Sequence, residues 1–336
     1  MRAYEIQEFG IGKLALAERD QPHAGPGEVL VKMHAASLNY RDAMVVSGTY
    51  NPRMKLPAVP FSDGSGEVVA VGENVTEWEI GDRVCSTVIA GWYNGEPSAE
   101  KSKTAIAAGG ADGILREYAA FSAKSIVRVP EHLSFEEAAT LPCAAVTAWN
   151  ALVVSGNVKA GDTVLTLGTG GVSIFAVQIA KHFGARVIST SSSDEKLARV
   201  KDLGADETIN YRLREDWDKA VLDLTGGRGV DHVIEVGGTG TLARSVKSVR
   251  VGGHVALIGA LDRAGEFNPV PVFMKGIRMQ GIFVGSREMF TGLNSMIEKS
   301  KMKPVVDRMF EFDQAREALE YMASGSHFGK IVLRIG

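Results

Sequence analysis

A glycine-rich segment has the residue types and spacing needed to hold a phosphate group. It reads GTGGVS at 168–173 and directly follows an apolar run at 162–167. Glycines let the backbone approach a pyrophosphate, whose charge is stabilised by the N-terminus of the following helix. We therefore predict cofactor contacts at Gly168, Gly170, Gly171 and Val172. Because Ser173 stands where glycine or alanine is usual, we expect a slightly looser fit of helix to strand. The alternative is a tight turn in a sheet that binds no nucleotide.

The residues after the second predicted strand indicate which dinucleotide would bind. NAD sites place a carboxylate there, about 20 residues after the first glycine, to accept a hydrogen bond from the ribose 2′-hydroxyl. This chain has Ser191 and Ser192 at that place. With Lys196, Tyr211 and Arg212 near in sequence, these hydroxyls favour the 2′-phosphate of NADPH through charge-assisted hydrogen bonds. The alternative is that Lys196 and Arg212 are ordinary solvated charges.

Two regions with different residue patterns indicate the elements that position these residues. Up to about residue 123, short β-rich runs are separated by turn residues, which predicts a small barrel or a strongly twisted sheet. From about residue 158, helical segments alternate with strand-like runs at 162–167, 185–190, 207–210, 231–236, 254–258 and 279–284. Such alternation predicts a parallel, doubly wound sheet. A further helix is expected at 315–322 and a last strand at 330–335.

The composition excludes several classes of protein. The chain has 336 residues, with 37 Lys and Arg against 40 Asp and Glu and a formal net charge of −3. That length predicts two domains, and that balance argues against an electrostatic nucleic-acid binder. Two cysteines are too few for a disulfide framework, and residues 1–8 do not resemble a secretory signal. We expect a cytoplasmic α/β protein without a nucleic-acid or membrane partner.

Short motifs that carry a family resemblance run through nearly the whole chain. They are GEVLVK at 27–32, SLNYRD at 37–42, SDGSGEVV at 62–69, GDRV at 81–84, ATLPCA at 139–144 and GSHFGKIV at 325–332. With the glycine loop, they resemble the medium-chain dehydrogenase/reductase superfamily, and within it the zinc-independent, quinone-oxidoreductase-like (zeta-crystallin-like) branch. The resemblance implies a GroES-like β-barrel catalytic domain from 1–123 and 287–336. A Rossmann dinucleotide-binding domain would occupy 124–286.

The resemblance also implies that this chain holds no metal. Members that use catalytic zinc bind it with a cysteine, a histidine and a second cysteine, and those positions here are Asn39, Ser62 and Cys143. A catalytic zinc site normally has three protein ligands. The segment 91–113, where a structural zinc lobe would need four cysteines, contains none. We expect Cys143 to be a small buried apolar residue.

Without a metal, hydrogen-bond donors must stabilise the charge that hydride transfer leaves on the acceptor oxygen. An enone or a quinone delocalises that charge, so fewer donors suffice. The resemblance implies that Asn39 and Tyr50 line the substrate pocket, where Tyr50 could donate to the oxygen or relay a proton, or be dispensable. Tyr40 and Arg41 are weaker candidates. The alternatives are that Asn39 caps a turn and that Tyr50 is a core aromatic residue.

Further cofactor and subunit contacts follow from the same resemblance. The implied cofactor residues are Thr147, Val236, Gly237, Gly259, Phe283, Val284 and Lys330. The strand near 279–285 would pair with its copy in a homodimer, which covers an open sheet edge.

Three functions remain open on the sequence. The first is a zinc-independent, NADPH-dependent reductase of a small conjugated carbonyl compound or a quinone. The second is an alcohol dehydrogenase or simple carbonyl reductase on the same fold. The third is a non-catalytic, crystallin-like protein that binds NADPH.

Overall fold

The computed structural model describes residues 1–259, 261 and 267–336, which form two compact units. Unit 1 comprises Met1–Val146 and Val284–Gly336, and unit 2 comprises Thr147–Phe283. The first unit boundary therefore lies later than the predicted one at residue 123. The reason is that Ile126–Arg128 forms a strand that pairs with Arg83–Ser86 in the sheet of unit 1.

The first part of unit 1 is mainly β-structure, as its short apolar runs predict. Its strands are β1 (Arg2–Ile6), β2 (Leu14–Glu18), β3 (Glu28–Ser37), β4 (Asp63–Val71), β5 (Arg83–Ser86), β6 (Tyr118–Ser122) and β7 (Ile126–Arg128). Its helices are α1 (Tyr40–Val46), α2 (Ala99–Ser102) and α3 (Phe135–Ala139), with 3₁₀ turns at Ile11–Lys13 and Ala123–Ser125. A helical segment then leads into unit 2 as a π-helical stretch Leu141–Ala145, helix α4 (Val146–Trp149) and a second π-helical stretch Asn150–Val154.

Strands and helices alternate through unit 2. The strands are β8 (Thr163–Leu167), β9 (Arg186–Ser191), β10 (Glu207–Asn210), β11 (Val230–Glu235), β12 (Val249–Leu257) and β13 (Arg278–Gly281). The helices are α5 (Gly171–His182), α6 (Asp194–Asp202), α7 (Trp217–Leu224), α8 (Thr239–Ser248) and α9 (Val270–Met274). The last strand ends at Gly281, so Phe283 lies beyond it rather than in the strand predicted over 279–284.

The strand order of unit 2 determines where a ligand can bind. All six strands are parallel and lie in the order β10-β9-β8-β11-β12-β13. The order reverses between β8 and β11, and ligands of such sheets bind beyond the carboxyl ends of the strands at that point. The loops after β8 and β11 are therefore the expected place for a ligand.

After residue 283 the chain returns to unit 1. The elements there are α10 (Arg287–Ser300), β14 (Val306–Phe310), a 3₁₀ turn Phe312–Gln314, α11 (Ala315–Ala323) and β15 (Lys330–Arg334). Strand β15 pairs antiparallel with β3 and parallel with β14. The main sheet of the unit has the order β14-β15-β3-β4-β5-β7, with β6 also paired to β3. This pairing brings the last strand of the chain beside the residues that precede α1.

Each unit has its own apolar core. One apolar cluster in unit 1 includes the fully buried Phe61, Ile114 and Leu333, and one in unit 2 includes Leu165, Ile188 and Val233. Among the described residues, no helix is long and apolar enough to cross a membrane.

Candidate functional site

The glycine loop of unit 2 leaves a helix N-terminus open to a ligand. Gly170 precedes α5 and provides no side-chain cap, so the first N–H groups of the helix keep no side-chain acceptor. Gly168 has φ +70°, and a Cβ added to Gly168 or Gly170 would meet no atom within 4 Å. Backbone donors and open space at an α-helix N-terminus suit a phosphate group. The loop therefore fits the pyrophosphate of a dinucleotide.

Ser173 binds the helix to the strand rather than loosening their contact. Its hydroxyl donates a hydrogen bond of 2.6 Å to the Leu167 carbonyl oxygen at the end of β8, and the side chain is buried. The expectation of a looser fit was wrong, because the hydroxyl replaces close packing with a direct hydrogen bond between the two elements.

Glu235, at the carboxyl end of β11, holds the loop that follows this strand, at the point where the strand order reverses. Its carboxylate accepts hydrogen bonds from the N–H groups of Gly237 and Gly238 at 2.7 and 3.1 Å and from the Thr241 hydroxyl at 2.6 Å. The Ser245 hydroxyl donates to its other oxygen. The sequence analysis missed this residue, although an acid that ends an apolar strand was a visible signal.

The predicted contact residues Val236 and Gly259 lie against each other in this part of unit 2. A Cβ at position 259 would lie 1.9 Å from the Val236 carbonyl oxygen, so only glycine fits. Thr147 is buried in α4, and the side chain of Phe283 is 40% exposed. Their contacts with a cofactor remain predictions.

The segment after β9 begins with the hydroxyl groups of Ser191, Ser192 and Ser193, and its acids, Asp194 and Glu195, come later in the first turn of α6. Ser191 is buried at the end of the strand, and its carbonyl oxygen accepts a hydrogen bond from the backbone N–H of Tyr211. The first acid of α6, Asp194, accepts a hydrogen bond of 2.7 Å from the Asn210 side chain. The backbone N–H of Lys196 is bound by the Ser193 hydroxyl, which caps α6. Ser192 is partly exposed beside them.

In unit 1, residues from the N-terminal and C-terminal parts of the chain come together around Asn39. Asn39 occupies the N-cap position of α1, where its backbone N–H is bound by the Asp42 carboxylate. The ammonium of Lys330, on β15, donates to Asn39 Oδ1 at 2.7 Å and to the Leu38 carbonyl oxygen at 2.6 Å. Asn39 Nδ2 is buried, and the acceptor that its amide acts on is the Asp63 carboxyl, whose pKa it helps to lower. The side chain therefore lies between the Lys330 ammonium and the Asp63 carboxyl.

Two buried acids accompany this lysine. Asp42 accepts a hydrogen bond of 2.7 Å from the Asn39 backbone N–H, and burial raises its pKa to about 6. Asp63 accepts hydrogen bonds from the Ser62 hydroxyl and the Cys143 backbone N–H at 2.8 and 2.9 Å. Burial also raises the pKa of Asp63, whereas Lys330, Ser62 and the Asn39 amide act in the opposite direction. The cation that most strongly opposes the shift is Arg41 at Asp42 and Lys330 at Asp63.

Tyr50 lies in the loop after α1, where Arg41 holds its ring. The Arg41 guanidinium lies over the ring at 5.2 Å from its centre and donates to the Ile106 carbonyl oxygen. Tyr50 is 38% exposed, so it is not the core aromatic residue of the alternative reading. Tyr40 is half exposed. Of the predicted substrate residues, the structure therefore joins Asn39 to Lys330 and Tyr50 to Arg41.

The residues at the family's zinc positions do not fit a zinc ion. Asn39 Oδ1 already accepts from an ammonium, and the Ser62 hydroxyl donates to Asp63. Cys143 is partly buried rather than fully buried, and it packs near Val284 in a small apolar cluster. Burial, and after it the Asp63 carboxylate, raises the pKa of its thiol to about 12, so the thiolate that zinc requires is disfavoured. Among the residues that the structure describes, no three His, Cys, Asp or Glu side chains form a group that could bind a metal.

Two family models match this chain. The family described as "Alcohol dehydrogenase GroES-like domain" matches residues 25–131, and the one described as "Zinc-binding dehydrogenase" matches residues 171–299. A zinc-type alcohol dehydrogenase-like protein of Schizosaccharomyces pombe is 45% identical over 97% of this chain and 96% of its own length. The human quinone oxidoreductase is 30% identical over 99% of this chain and 97% of its own length.

A solved structure extends this similarity to the fold. It is a mycobacterial protein complexed with NADPH, which has a TM-score of 0.85 and 30% identity over 100% of both chains. The predicted fold class, a GroES-like domain with a Rossmann domain, is confirmed. With relatives of both the alcohol dehydrogenase and the quinone oxidoreductase kind, the chain is an oxidoreductase that belongs to the medium-chain dehydrogenase/reductase superfamily.

Proposed function

We propose that this oxidoreductase uses NADPH, without zinc, to reduce a small conjugated carbonyl compound or a quinone. The observation that carries the proposal is the state of Asn39. Where zinc-using relatives have a metal ligand, this chain has a neutral amide whose oxygen is already bound by the Lys330 ammonium. The chain thus offers a single neutral donor in place of a Lewis acid.

One neutral donor suits some acceptors better than others. Bound NADPH supplies a hydride, and the acceptor oxygen then gains negative charge. The proposed donors to that oxygen are the Asn39 amide and Tyr50, which is 38% exposed and is also the proposed proton source. A simple ketone concentrates the charge on one alkoxide oxygen, whereas an enone or a quinone delocalises it over an enolate or a phenolate. We therefore favour conjugated acceptors over simple carbonyl compounds.

The preference for NADPH rests on the segment after β9. The hydroxyls of Ser191 and Ser192 stand where NAD sites need a carboxylate, and Asp194 is engaged by Asn210. Lys196 and Tyr211 complete the proposed 2′-phosphate site.

We also propose that the protein is a cytoplasmic homodimer. Strand β13 is the edge of the unit 2 sheet. Nearby in sequence, Phe273 and Met274 of α9 are 68% and 72% exposed. An open edge with exposed apolar side chains is a liability that pairing with a second copy would remove. Equilibrium sedimentation tests for the homodimer, and a monomer at micromolar concentration would contradict it.

The catalytic proposal is tested with chelator-treated protein whose zinc content has been measured. NADPH and NADH oxidation are followed with a quinone, a 2-alkenal and a simple saturated aldehyde. We expect turnover of the conjugated acceptors that prefers NADPH and survives the chelator. Turnover confined to the simple aldehyde and lost with the chelator would instead indicate an alcohol dehydrogenase. NADPH binding without turnover would favour the non-catalytic reading.

A further inference from the structure

The hydroxyl of Tyr50 is open to a ligand. The side chain is 38% exposed, and among the residues that the structure describes none makes a hydrogen bond with this hydroxyl. A phenolic O–H that no protein group binds can donate to a ligand instead. Tyr50 therefore offers a donor that a substrate can reach.

The backbone that carries Tyr50 is fixed by hydrogen bonds. The Tyr50 N–H donates to the Met44 carbonyl oxygen at 3.1 Å, and the same oxygen accepts from the Thr49 hydroxyl at 3.2 Å. The side-chain amide of Asn51 donates to the Ala108 carbonyl oxygen at 3.0 Å. These bonds fix where the Tyr50 side chain begins. They leave free its two side-chain torsions, which determine where the hydroxyl lies.

Arg41 covers one face of the Tyr50 ring. The central carbon of its guanidinium lies 5.2 Å from the ring centre, which is within the range of a cation–π interaction. Among the described residues, no other cation and no aromatic ring lies against this ring. Arg41 is therefore the charged group that can restrict the torsions of Tyr50.

Arg41 is in turn anchored to the interior of unit 1. Its Nη2 donates to the Ile106 carbonyl oxygen at 2.5 Å. Ile106 is 2% exposed, and its N–H donates to the Val88 carbonyl oxygen at 2.9 Å, so the anchor is itself held. The Nη1 of Arg41 is buried and has no hydrogen-bond partner. With one Nη bound and the other closed to solvent, the charge acts on the Tyr50 ring and on the Asp42 carboxylate.

We propose that Arg41 is a positioning residue that holds the Tyr50 ring so that its hydroxyl meets the substrate oxygen. The inference rests on the proposed function, in which Tyr50 donates to the oxygen that gains charge. Without the cation, the ring can turn into other staggered orientations, and its hydroxyl is less often at the place of that oxygen. Arg41 thus acts on the reaction through Tyr50 and through no contact of its own with substrate.

A double-mutant cycle on the full-length enzyme tests the proposal. Arg41→Met, Tyr50→Phe and the double variant are assayed with NADPH and a 2-alkenal, and Arg53→Met, an exposed arginine near Tyr50 in sequence, is the matched control. We expect Tyr50→Phe to lower kcat by about 10²-fold, the effect of removing one donor to an oxyanion. Arg41→Met should lower kcat by about fivefold, the effect of losing a cation–π contact. In the Tyr50→Phe background, Arg41→Met should change kcat by less than about twofold, because no hydroxyl remains to be positioned.

A measurement without substrate or cofactor reports the ring contact itself. In protein with isotope-labelled tyrosine rings, the NMR signal that Tyr50→Phe removes belongs to Tyr50. We expect Arg41→Met to move this signal towards that of free tyrosine. Arg41→Lys keeps a cation, so its signal should stay closer to the wild type and its kcat should fall by less than about twofold. If Arg41→Met fails to fold, the cycle is repeated in an Asp42→Asn background, where the acid that Arg41 faces is neutral.

The possible failures are distinguishable. A Tyr50 signal that Arg41→Met leaves unchanged would overturn the positioning role, as would a loss of about fivefold from Arg41→Met both with and without the hydroxyl. An unchanged kcat in Tyr50→Phe would overturn the inference by removing Tyr50 as a donor. Wild-type protein that does not reduce the 2-alkenal or a quinone would overturn the proposed function itself.

Discussion

Replacing Asp42 with asparagine is expected to stabilise the protein at neutral and alkaline pH. Asp42 is fully buried, and burial raises its pKa from 3.8 to about 6, with a smaller contribution from Asp63. One pKa unit corresponds to about 1.36 kcal/mol, so ionising this carboxyl in the folded chain costs about 3 kcal/mol. Asparagine removes that cost.

The substitution also preserves the local hydrogen bonding. The Asp42 oxygen that accepts from the Asn39 backbone N–H has a counterpart in the asparagine carbonyl oxygen. The other carboxylate oxygen has no hydrogen-bond partner, so an amide nitrogen in its place loses no bond. The charge is therefore the principal difference between the two side chains.

The difference in stability between Asp42→Asn and the wild type depends on pH. Because the folded chain binds this proton more tightly than the unfolded chain, the carboxyl contributes most to stability below pH 3.8. That contribution is lost as the pH rises through about 6. We expect Asp42→Asn to match the wild type near pH 4 and to exceed it by up to about 3 kcal/mol at pH 8. For 336 residues unfolding in one transition, this corresponds to about 4 °C in Tm.

Differential scanning calorimetry of both proteins from pH 4 to pH 8 measures this difference. The exposed Asp20→Asn controls for the loss of one negative charge, and its Tm should stay within about 1 °C of the wild type at each pH. A Tm for Asp42→Asn that is lower than the wild type at pH 8, or a difference independent of pH, would refute the reasoning.

Three further predictions concern unit 2. Glu235→Ala removes the acceptor of the Gly237 and Gly238 N–H groups, so we expect hydrogen exchange at these amides to accelerate at least about tenfold and NADPH affinity to fall. Exchange mass spectrometry and fluorescence titration measure this, and unchanged protection would contradict it. Ser173→Ala loses one buried hydrogen bond and should lower stability by about 1 kcal/mol in urea unfolding, whereas an unchanged midpoint would show that the bond contributes nothing. Burial, Arg278 and His232 lower the pKa of His254 from 6.5 to about 3, so the stability it contributes is present above pH 6.5 and lost as the pH falls towards 3. Between pH 7 and pH 5, the free energy of unfolding should therefore fall by about 2 kcal/mol less in His254→Asn than in the wild type. Urea unfolding measures this, and equal decreases in the two proteins would contradict it.

The parallel sheet could be predicted because its signals are local. Strands β8, β9 and β10 lie within a residue or two of the predicted runs, and α6 begins at Asp194 as predicted. Apolar runs of strand length and helical spacing carry this information in a few adjacent residues. Helix α10 was not predicted, although Phe290, Leu293 and Ile297 on its buried face do follow helical spacing.

The polar cluster of unit 1 could be predicted only in part. Asn39 and Lys330 were both singled out, but as separate contacts of a substrate and a cofactor. Their hydrogen bond depends on the pairing of β15 with β3, which no local pattern specifies. The contacts of the Asn39 side chain and of Asp63 with Lys330 depend on the same pairing. Sequence alone therefore indicated the residues but not the chemistry that joins them.

The hydrogen bond between Lys330 and Asn39 also has a consequence for synthesis on the ribosome. The two residues are 291 positions apart. At about 5–20 residues per second, Lys330 is added roughly 15–60 s after Asn39. During that interval Asp63 lacks the ammonium that most strongly lowers its pKa when it is buried, and we expect this corner of unit 1 to stay hydrated. All six strands of unit 2 are complete before Lys330 is made, so translation itself sets an order in which the nucleotide-binding sheet can close first and the polar cluster around Asn39 last.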